Sequence, residues 1–376
     1  MKIAVIHNLS PGGQKRCLQQ QIKILSKKYI VDLFTLSSTD DSFCPIKPYV
    51  RKHFTVQLSK PVGFWNYLKT VYDLLPRAYQ NLAELINRGN YDVAFVGSCW
   101  LTQSPYILRY LKNPSVYFCH EPKREFYESI PRSYHPARYW ISYPFRYPIK
   151  MIDRLNTRSA TRVLVNSSYS KSVIDRVYGV NSTVNYLGVD TKVFKSIGDK
   201  KQKYVLSVGN LSLLKGHDFI IRSLNRIPEN IRPKLIIIGN GGVEKDELIR
   251  LANKLNVTME IHEKLNDQDL VSYYNRASAF LFAAMGEPFG LVLLEAAASG
   301  IPIIAVGEGG VREILTKMPN TVLVKRDEKV FAEKLISYLN HPKNDISKLQ
   351  IAYVKKYWSW EKSVGQLDRV LTETLV

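Results

Sequence analysis

The chain has 376 residues, of which 45% are hydrophobic and 23% charged, and a formal net charge of +20. That length exceeds what one hydrophobic core ordinarily supports, so two domains are expected, and the composition excludes a disordered or low-complexity chain. Four scattered cysteines (Cys17, Cys44, Cys99, Cys119) lack metal-ligand spacing, which argues against a zinc site or a disulfide framework and for a reducing compartment. The opening apolar run is too short for a signal peptide and reads as a buried first strand, and no stretch has the length of a spanning helix. A cytoplasmic protein, peripheral on the inner face of a membrane, is the expected setting. Residues 1–190 hold 26 Lys+Arg against 12 Asp+Glu, a surplus of +14, and the remainder has a surplus of +6. Such concentration points to an anionic partner for the first half: a membrane surface, a phosphorylated acceptor or a nucleic acid.

In chain order, short β-branched runs alternate with helical patterns, as in parallel sheets covered by helices. The first half predicts strands at 2–7, 29–36, 93–96, 116–119 and 162–166, with helices at 19–26 and 79–87. The pattern restarts with strands at 204–208, 234–238, 258–262, 279–282, 301–305 and 321–324. Helices fit 216–225, 245–255, 267–276, 291–298 and 328–339. Two similar α/β domains are expected, 1–190 and 191–358, with a last helix over 359–376 packing back on the first. In open parallel sheets ligands sit beyond the carboxyl ends of the strands, so chemistry is sought there.

The strongest segment is Glu287-Pro288-Phe289-Gly290-Leu291-Val292-Leu293-Leu294-Glu295, between an apolar strand and an Ala-rich helix. Pro288 and Gly290 favour a loop followed by a helix start, whose free N–H groups and positive dipole end suit a diphosphate. Glu295 lies within the first two turns of that helix and Glu287 on the loop before it, where both can accept from ligand hydroxyls. Gly12-Gly13, directly after the first strand, lets backbone approach a phosphate without an intervening side chain. No complete G-x-G-x-x-G or P-loop is present, which argues against a nicotinamide oxidoreductase or an NTPase. Asp267-Gln268-Asp269 spells a D-x-D, but its acids fall in the first turn of a helix and complement its dipole, so no metal is expected. Two aromatic segments stand out in the basic half: 64–72 has helical spacing and suits an aromatic core under a loop as well as a surface role, and 134–150 mixes aromatic residues with cations, as a membrane interface or a sugar-stacking surface would.

The Glu287–Glu295 segment resembles the signature of glycosyltransferase family 4, retaining enzymes of the GT-B fold. The resemblance continues through Gly12-Gly13, Cys119-His120-Glu121, the stretch 185–194, Val208-Gly209-Asn210-Leu211 with Lys215-Gly216, the turns at 238–241 and 307–313, and Ser359-Trp360-Glu361. It implies an α/β protein with two facing Rossmann-like domains, parallel sheets and a central cleft. It implies transfer of a sugar from a UDP- or GDP-sugar donor, without a metal cofactor, to a glycan or lipid-linked acceptor. In that reading Glu287, His120 and Lys215 are catalytic. Gly12, Gly13, Asn210, Lys215, Glu287, Phe289, Gly290, Leu291 and Glu295 contact the donor, and Glu121, Arg138 and Arg146 serve the acceptor. Where the family usually has Arg, this chain has Asn210, an amide without charge, leaving Lys215 as the main cation for the diphosphate. The rival readings are a basic nucleic-acid-binding protein, for which no recognised motif is present, and a scaffold that binds nucleotide sugar without catalysis.

Overall fold

Every residue of β1 (Lys2–Asn8) after Lys2 is buried, as a strand covered on both faces requires. The computed structural model describes residues 1–128, 136–239, 241–242, 244–341 and 346–375. The chain forms two units, Met1–Tyr186 with Trp360–Val376, and Leu187–Ser359.

In the first unit β1 leads through a glycine turn into α1 (Gly13–Leu25), then β2 (Ile30–Leu36) and β3 (Lys52–Val56). A short α2 (Phe64–Lys69) continues through a π-turn (Thr70–Leu74) into α3 (Leu75–Asn87), followed by β4 (Val93–Cys99), β5 (Ser115–Phe118) and α4 (Arg124–Tyr127). The long α5 (Pro136–Arg158), β6 (Arg162–Val165), α6 (Ser168–Tyr178) and β7 (Thr183–Val184) complete the unit, with the chain's last helix described below. The seven strands lie in the order β3-β2-β1-β4-β5-β6-β7, all parallel. The order reverses between β1 and β4, which pair with Ile3 opposite Val93.

The second unit repeats the logic. It runs β8 (Tyr204–Val208), α7 (His217–Asn225), β9 (Lys234–Ile238), α8 (Lys245–Lys254), β10 (Met259–His262), α9 (Asp267–Arg276) and β11 (Ala279–Phe282). Then follow α10 (Leu291–Ala298), β12 (Ile303–Val306), α11 (Val311–Leu315), β13 (Thr321–Val324), α12 (Glu328–Asn340) and α13 (Ile346–Tyr357). Its parallel sheet is ordered β10-β9-β8-β11-β12-β13, reversing between β8 and β11. The last helix, α14 (Trp360–Glu373), belongs to the first unit: Asp368 accepts from Lys28 at 2.7 Å and from the Tyr29 hydroxyl at 2.5 Å, and Asn185 donates to the Ser363 carbonyl.

Two departures from the sequence reading have local causes. The 134–150 segment is helical from Pro136 onward despite three prolines; residues 134 and 135 lie outside the described ones. Pro136 opens the helix, where its missing N–H costs nothing, and Pro144 and Pro148 are four apart on its exposed side, where helices tolerate stretched bonds. The unpredicted α6 begins in the polar run Ser167-Ser168-Tyr169-Ser170, in which the Ser167 hydroxyl caps the Ser170 N–H at 2.9 Å.

Asp153 in α5 is fully buried and accepts from the Tyr178 hydroxyl at 2.6 Å and from the Ser104 N–H at 3.1 Å, joining α5, α6 and the turn after β4. Burial pushes its carboxyl up to about 6 from 3.8. A raised carboxyl favours the folded state at low pH, and that contribution is lost as pH climbs through the folded value. The wild-type protein should therefore lose about 3 kcal/mol relative to Asp153→Asn between pH ~4 and ~6, with a flat difference above. Denaturant titrations of both proteins across that range measure it; a pH-independent difference would show that Asp153 stays ionised.

Candidate active site

In the C-terminal unit the loops after β8 and β11 meet where the strand order reverses. Lys215 closes a single turn (Leu213–Lys215) after β8, and its ammonium lies 2.7 Å from a carboxylate oxygen of Glu287 on the loop after β11. Both side chains are partly shielded, 29% and 15% exposed, so the pair is held more firmly than a surface ion pair.

Local geometry explains why these residues converge. Gly216 follows Lys215 in the left-handed region at φ +65°, and a Cβ there would sit 2.1 Å from the Ala283 carbonyl oxygen. Only glycine lets the β8 loop lie on the end of β11. The Met285 N–H then donates to the Leu214 carbonyl at 2.7 Å, joining the two loops. From the other side Gly309, at φ +64°, presses on Glu287, with a Cβ position 2.4 Å from the Glu287 carbonyl oxygen, and the Gly310 N–H donates to that same oxygen at 2.9 Å. The turn after β12 thus fixes the Glu287 backbone.

Gly290, also at positive φ, precedes α10, whose first N–H groups at Leu291 and Val292 have no intrahelical partner and carry the positive end of the helix dipole. Glu295, in the second turn, is buried and accepts from the Tyr274 hydroxyl at 3.1 Å. The Phe289 ring packs edge-on against Trp358 at 5.9 Å, so its side chain belongs to the core and only its backbone is available to a ligand. Asn210 is exposed on the loop after β8. Asn240, in the glycine turn after β9, lies outside the described residues. Asp267 and Asp269 sit in the first turn of α9, where the Asn266 side chain caps the Asp269 N–H at 2.9 Å and donates to its carboxylate at 2.8 Å. Among the described residues no group of three His, Cys, Asp or Glu side chains is placed to hold a metal ion.

In the N-terminal unit Gly12 precedes α1 and its carbonyl accepts from the N–H groups of Lys15 and Arg16 at 3.1 Å; Gly13 is the first residue of the helix. A Cβ at Gly12 would meet nothing within 4 Å, so the turn is open to a ligand. Lys15 is wholly buried and bound to the Asp40 carbonyl and the Asp41 carboxylate, which removes it from ligand binding. His120, beyond β5, stacks on Phe118 with ring centroids 4.5 Å apart, and its Nδ1 is 3.5 Å from the Asn166 amide nitrogen. Burial holds its ring well below the usual value, near 3, so it is neutral at physiological pH. Glu121 accepts from Gln14 of α1 at 3.3 Å, tying the loop after β5 to the helix behind the glycine turn.

Arg146, expected to meet an acceptor, is instead engaged within the unit: it pairs with Glu125 and lies over the Tyr139 ring at 4.8 Å, with 14% of its side chain exposed. The Arg138 side chain lies outside the described residues.

Sequence reasoning missed Arg326, just beyond β13. Its guanidinium donates to both Glu308 oxygens at 2.8 and 2.9 Å and to the Ala283 carbonyl at 2.9 Å, and lies over the Phe219 ring of α7. It binds the loops after β11, β12 and β13 together, the only sequence signal being its place at the carboxyl end of a strand.

Comparison with known proteins gives the family and the fold. Residues 189–355 match the family described as "Glycosyl transferases group 1", and residues 11–193 match "Glycosyltransferase Family 4". The chain is 26% identical over 337 residues, 86% of either chain, to a Campylobacter jejuni enzyme. That enzyme is named N-acetylgalactosamine-N,N'-diacetylbacillosaminyl-diphospho-undecaprenol 4-alpha-N-acetylgalactosaminyltransferase. In fold it resembles the sucrose-phosphate synthase of Thermosynechococcus elongatus, at a TM-score of 0.79 and 19% identity, covering 99% and 98% of the two chains. It also resembles Anabaena HepE, solved with UDP and glucose, at 0.75 and 18%, covering 99% and 100%. The chain belongs to glycosyltransferase family 4 and is built on the two-domain α/β GT-B fold.

Proposed function

We propose that this glycosyltransferase moves a sugar from a nucleotide-diphosphate donor, a UDP- or GDP-sugar, to a glycan or lipid-linked acceptor with retention of anomeric configuration. The Lys215–Glu287 pair beside the N-terminus of α10 carries this reading. A cation and a row of free N–H groups suit a diphosphate, and a carboxylate held by that cation suits sugar hydroxyls. Asn210, without charge, leaves Lys215 and the N–H groups of Leu291 and Val292 as the principal diphosphate contacts. Glu295 takes the ribose hydroxyls, and Phe289 contributes through its backbone. Support for the donor and acceptor classes comes from HepE, solved with UDP and glucose, and from the diphospho-undecaprenol in the Campylobacter enzyme's name.

The chemistry is a substitution on one face of the sugar. The acceptor oxygen bonds to the anomeric carbon as the bond to the diphosphate breaks, and the acceptor proton passes to the departing phosphate oxygen. Lys215 and the α10 dipole stabilise the leaving charge, so catalysis is positioning and electrostatics. In the N-terminal unit the Gly12–Gly13 turn is assigned to phosphate, Glu121 to the acceptor, and neutral His120 to orienting the sugar and stabilising positive character through its backbone. Hydrolysis and transfer assays with a panel of UDP- and GDP-sugars, with NMR of the product anomer, test the reading. Turnover of none, or an inverted product, would refute it.

Lys215→Ala and Glu287→Gln should each lower kcat/KM at least ~100-fold while circular dichroism shows an intact fold, because a charge-assisted contact to the transition state is lost. Near-normal turnover in either variant would remove the pair from the site. Glu295→Ala should mainly raise the donor KM, since a ribose contact is felt in ground and transition states alike. Tyr274→Phe, which removes only the hydroxyl bonded to Glu295, controls for packing, and a change confined to kcat would contradict the ribose role. Activity should survive EDTA; loss restored by Mg²⁺ or Mn²⁺ would give Asp267 and Asp269 a role as ligands.

A further inference from the structure

Ordinary surface helices turn charge outward and apolar residues inward. Helix α5 does the reverse. Its described exposed side chains up to Leu155 are all apolar or aromatic, among them Trp140, Ile141, Phe145, Tyr147, Met151 and Leu155. They follow the helical spacing of one stripe, while two of its cations are turned inward: Arg146 on Glu125, and Lys150 over the Tyr127 ring at 5.1 Å. The tip of α2 extends the patch. Phe145 is flanked by the rings of Phe64 and Trp65 at 5.9 and 5.8 Å, and the Tyr72 hydroxyl donates to the Phe145 carbonyl. Val62 and Trp65 are 81% and 70% exposed, and exposed Lys60 and Lys69 bracket them in sequence.

A contiguous apolar face of this kind marks an interaction surface. Its chemistry selects the partner. Pro144 and Pro148 provide no N–H to the carbonyls of Trp140 and Pro144, on the exposed side of the helix. A dry protein interface would strand those carbonyls, whereas the hydrated headgroup layer of a bilayer supplies water and donors to them. Trp and Tyr, with an apolar body and a polar edge, favour the same depth, and lysines at the rim complement anionic headgroups. Among the described residues no helix is long and apolar enough to cross a membrane, so the contact is interfacial.

We propose that the N-terminal unit docks on a phospholipid bilayer by inserting the Trp65–Ile141–Phe145 face, with Lys60 and Lys69 at headgroup level. Insertion, not charge, then dominates. Arg146 and Lys150, which a charge-driven contact would need at the surface, are turned to partners inside the unit.

Vesicles of phosphatidylglycerol and phosphatidylcholine provide the test, in the absence of any nucleotide sugar, so that failure here leaves the transferase reading standing. Binding in co-sedimentation should fall no more than about threefold when salt rises to ~1 M, where the screening length is ~3 Å. Trp65→Ser, Ile141→Ser and Phe145→Ser together should weaken binding at least about thirtyfold while donor hydrolysis in solution is unchanged. Brominated lipids should quench the fluorescence of the wild-type protein, and less so that of Trp65→Phe with Trp140→Phe, a readout independent of the triple variant's folding. Absence of binding at low salt, or binding abolished by salt yet indifferent to the triple variant, would overturn the proposal. So would self-association without lipid binding that the triple variant removes, since the face would then join two copies of the chain.

Discussion

Between β8 and β11 the C-terminal sheet changes its direction of winding, and the two strand ends at that reversal cannot both be covered by crossover helices. The loops after them fill the gap, and the ammonium of Lys215 meets the carboxylate of Glu287 there. A cation so placed would repel the positive end of α10 without the intervening carboxylate, and the carboxylate alone would repel a diphosphate. Together they make a near-neutral pair at this edge of the sheet, which on the proposed reading an incoming diphosphate would reorganise by drawing on the lysine. The rest of this unit's carboxyl edge serves to keep the pair in register: Gly216 allows the close approach, Gly310 fixes the Glu287 carbonyl, and Arg326 binds three loops from behind.

The N-terminal unit applies the same sheet topology to another end. Its reversal between β1 and β4 places the Gly12–Gly13 turn at a strand terminus, and burial keeps His120 neutral, so this edge offers backbone and an uncharged ring. Two of the unit's cations are turned inward: Lys15 is buried in an internal pair and Arg146 is bound to Glu125, while α5 shows solvent a hydrophobic stripe.

What the sequence revealed and what it concealed divide along the range of the forces involved. Buried parallel strands are continuous apolar runs, so β1, β8, β9 and β11 were legible, as was α10, announced by Pro288, Gly290 and its alanines. The edge strand β3, with Lys52, His53 and Thr55, pairs on one side only and has no such run. Helix α6 was hidden by a serine-rich start that is in fact its cap, and α5 by prolines whose cost falls on one exposed face. At the site, Glu287 and Glu295 could be named from the loop-and-helix pattern, and Lys215 from the family resemblance. Phe289 faces Trp358, and Arg326 reaches carbonyls more than forty residues away. Those are tertiary facts, with no local spacing to betray them.

The central claim is that Lys215, with the free N–H groups of α10, holds a diphosphate. Isothermal titration of UDP, GDP and the corresponding nucleosides against wild-type protein and Lys215→Met tests it most directly. The account predicts that one diphosphate binds the wild type and that the variant weakens it by about tenfold to a hundredfold, leaving binding of the matching nucleoside unchanged. Equal affinity of both proteins for the diphosphate, or equal losses for diphosphate and nucleoside, would contradict it.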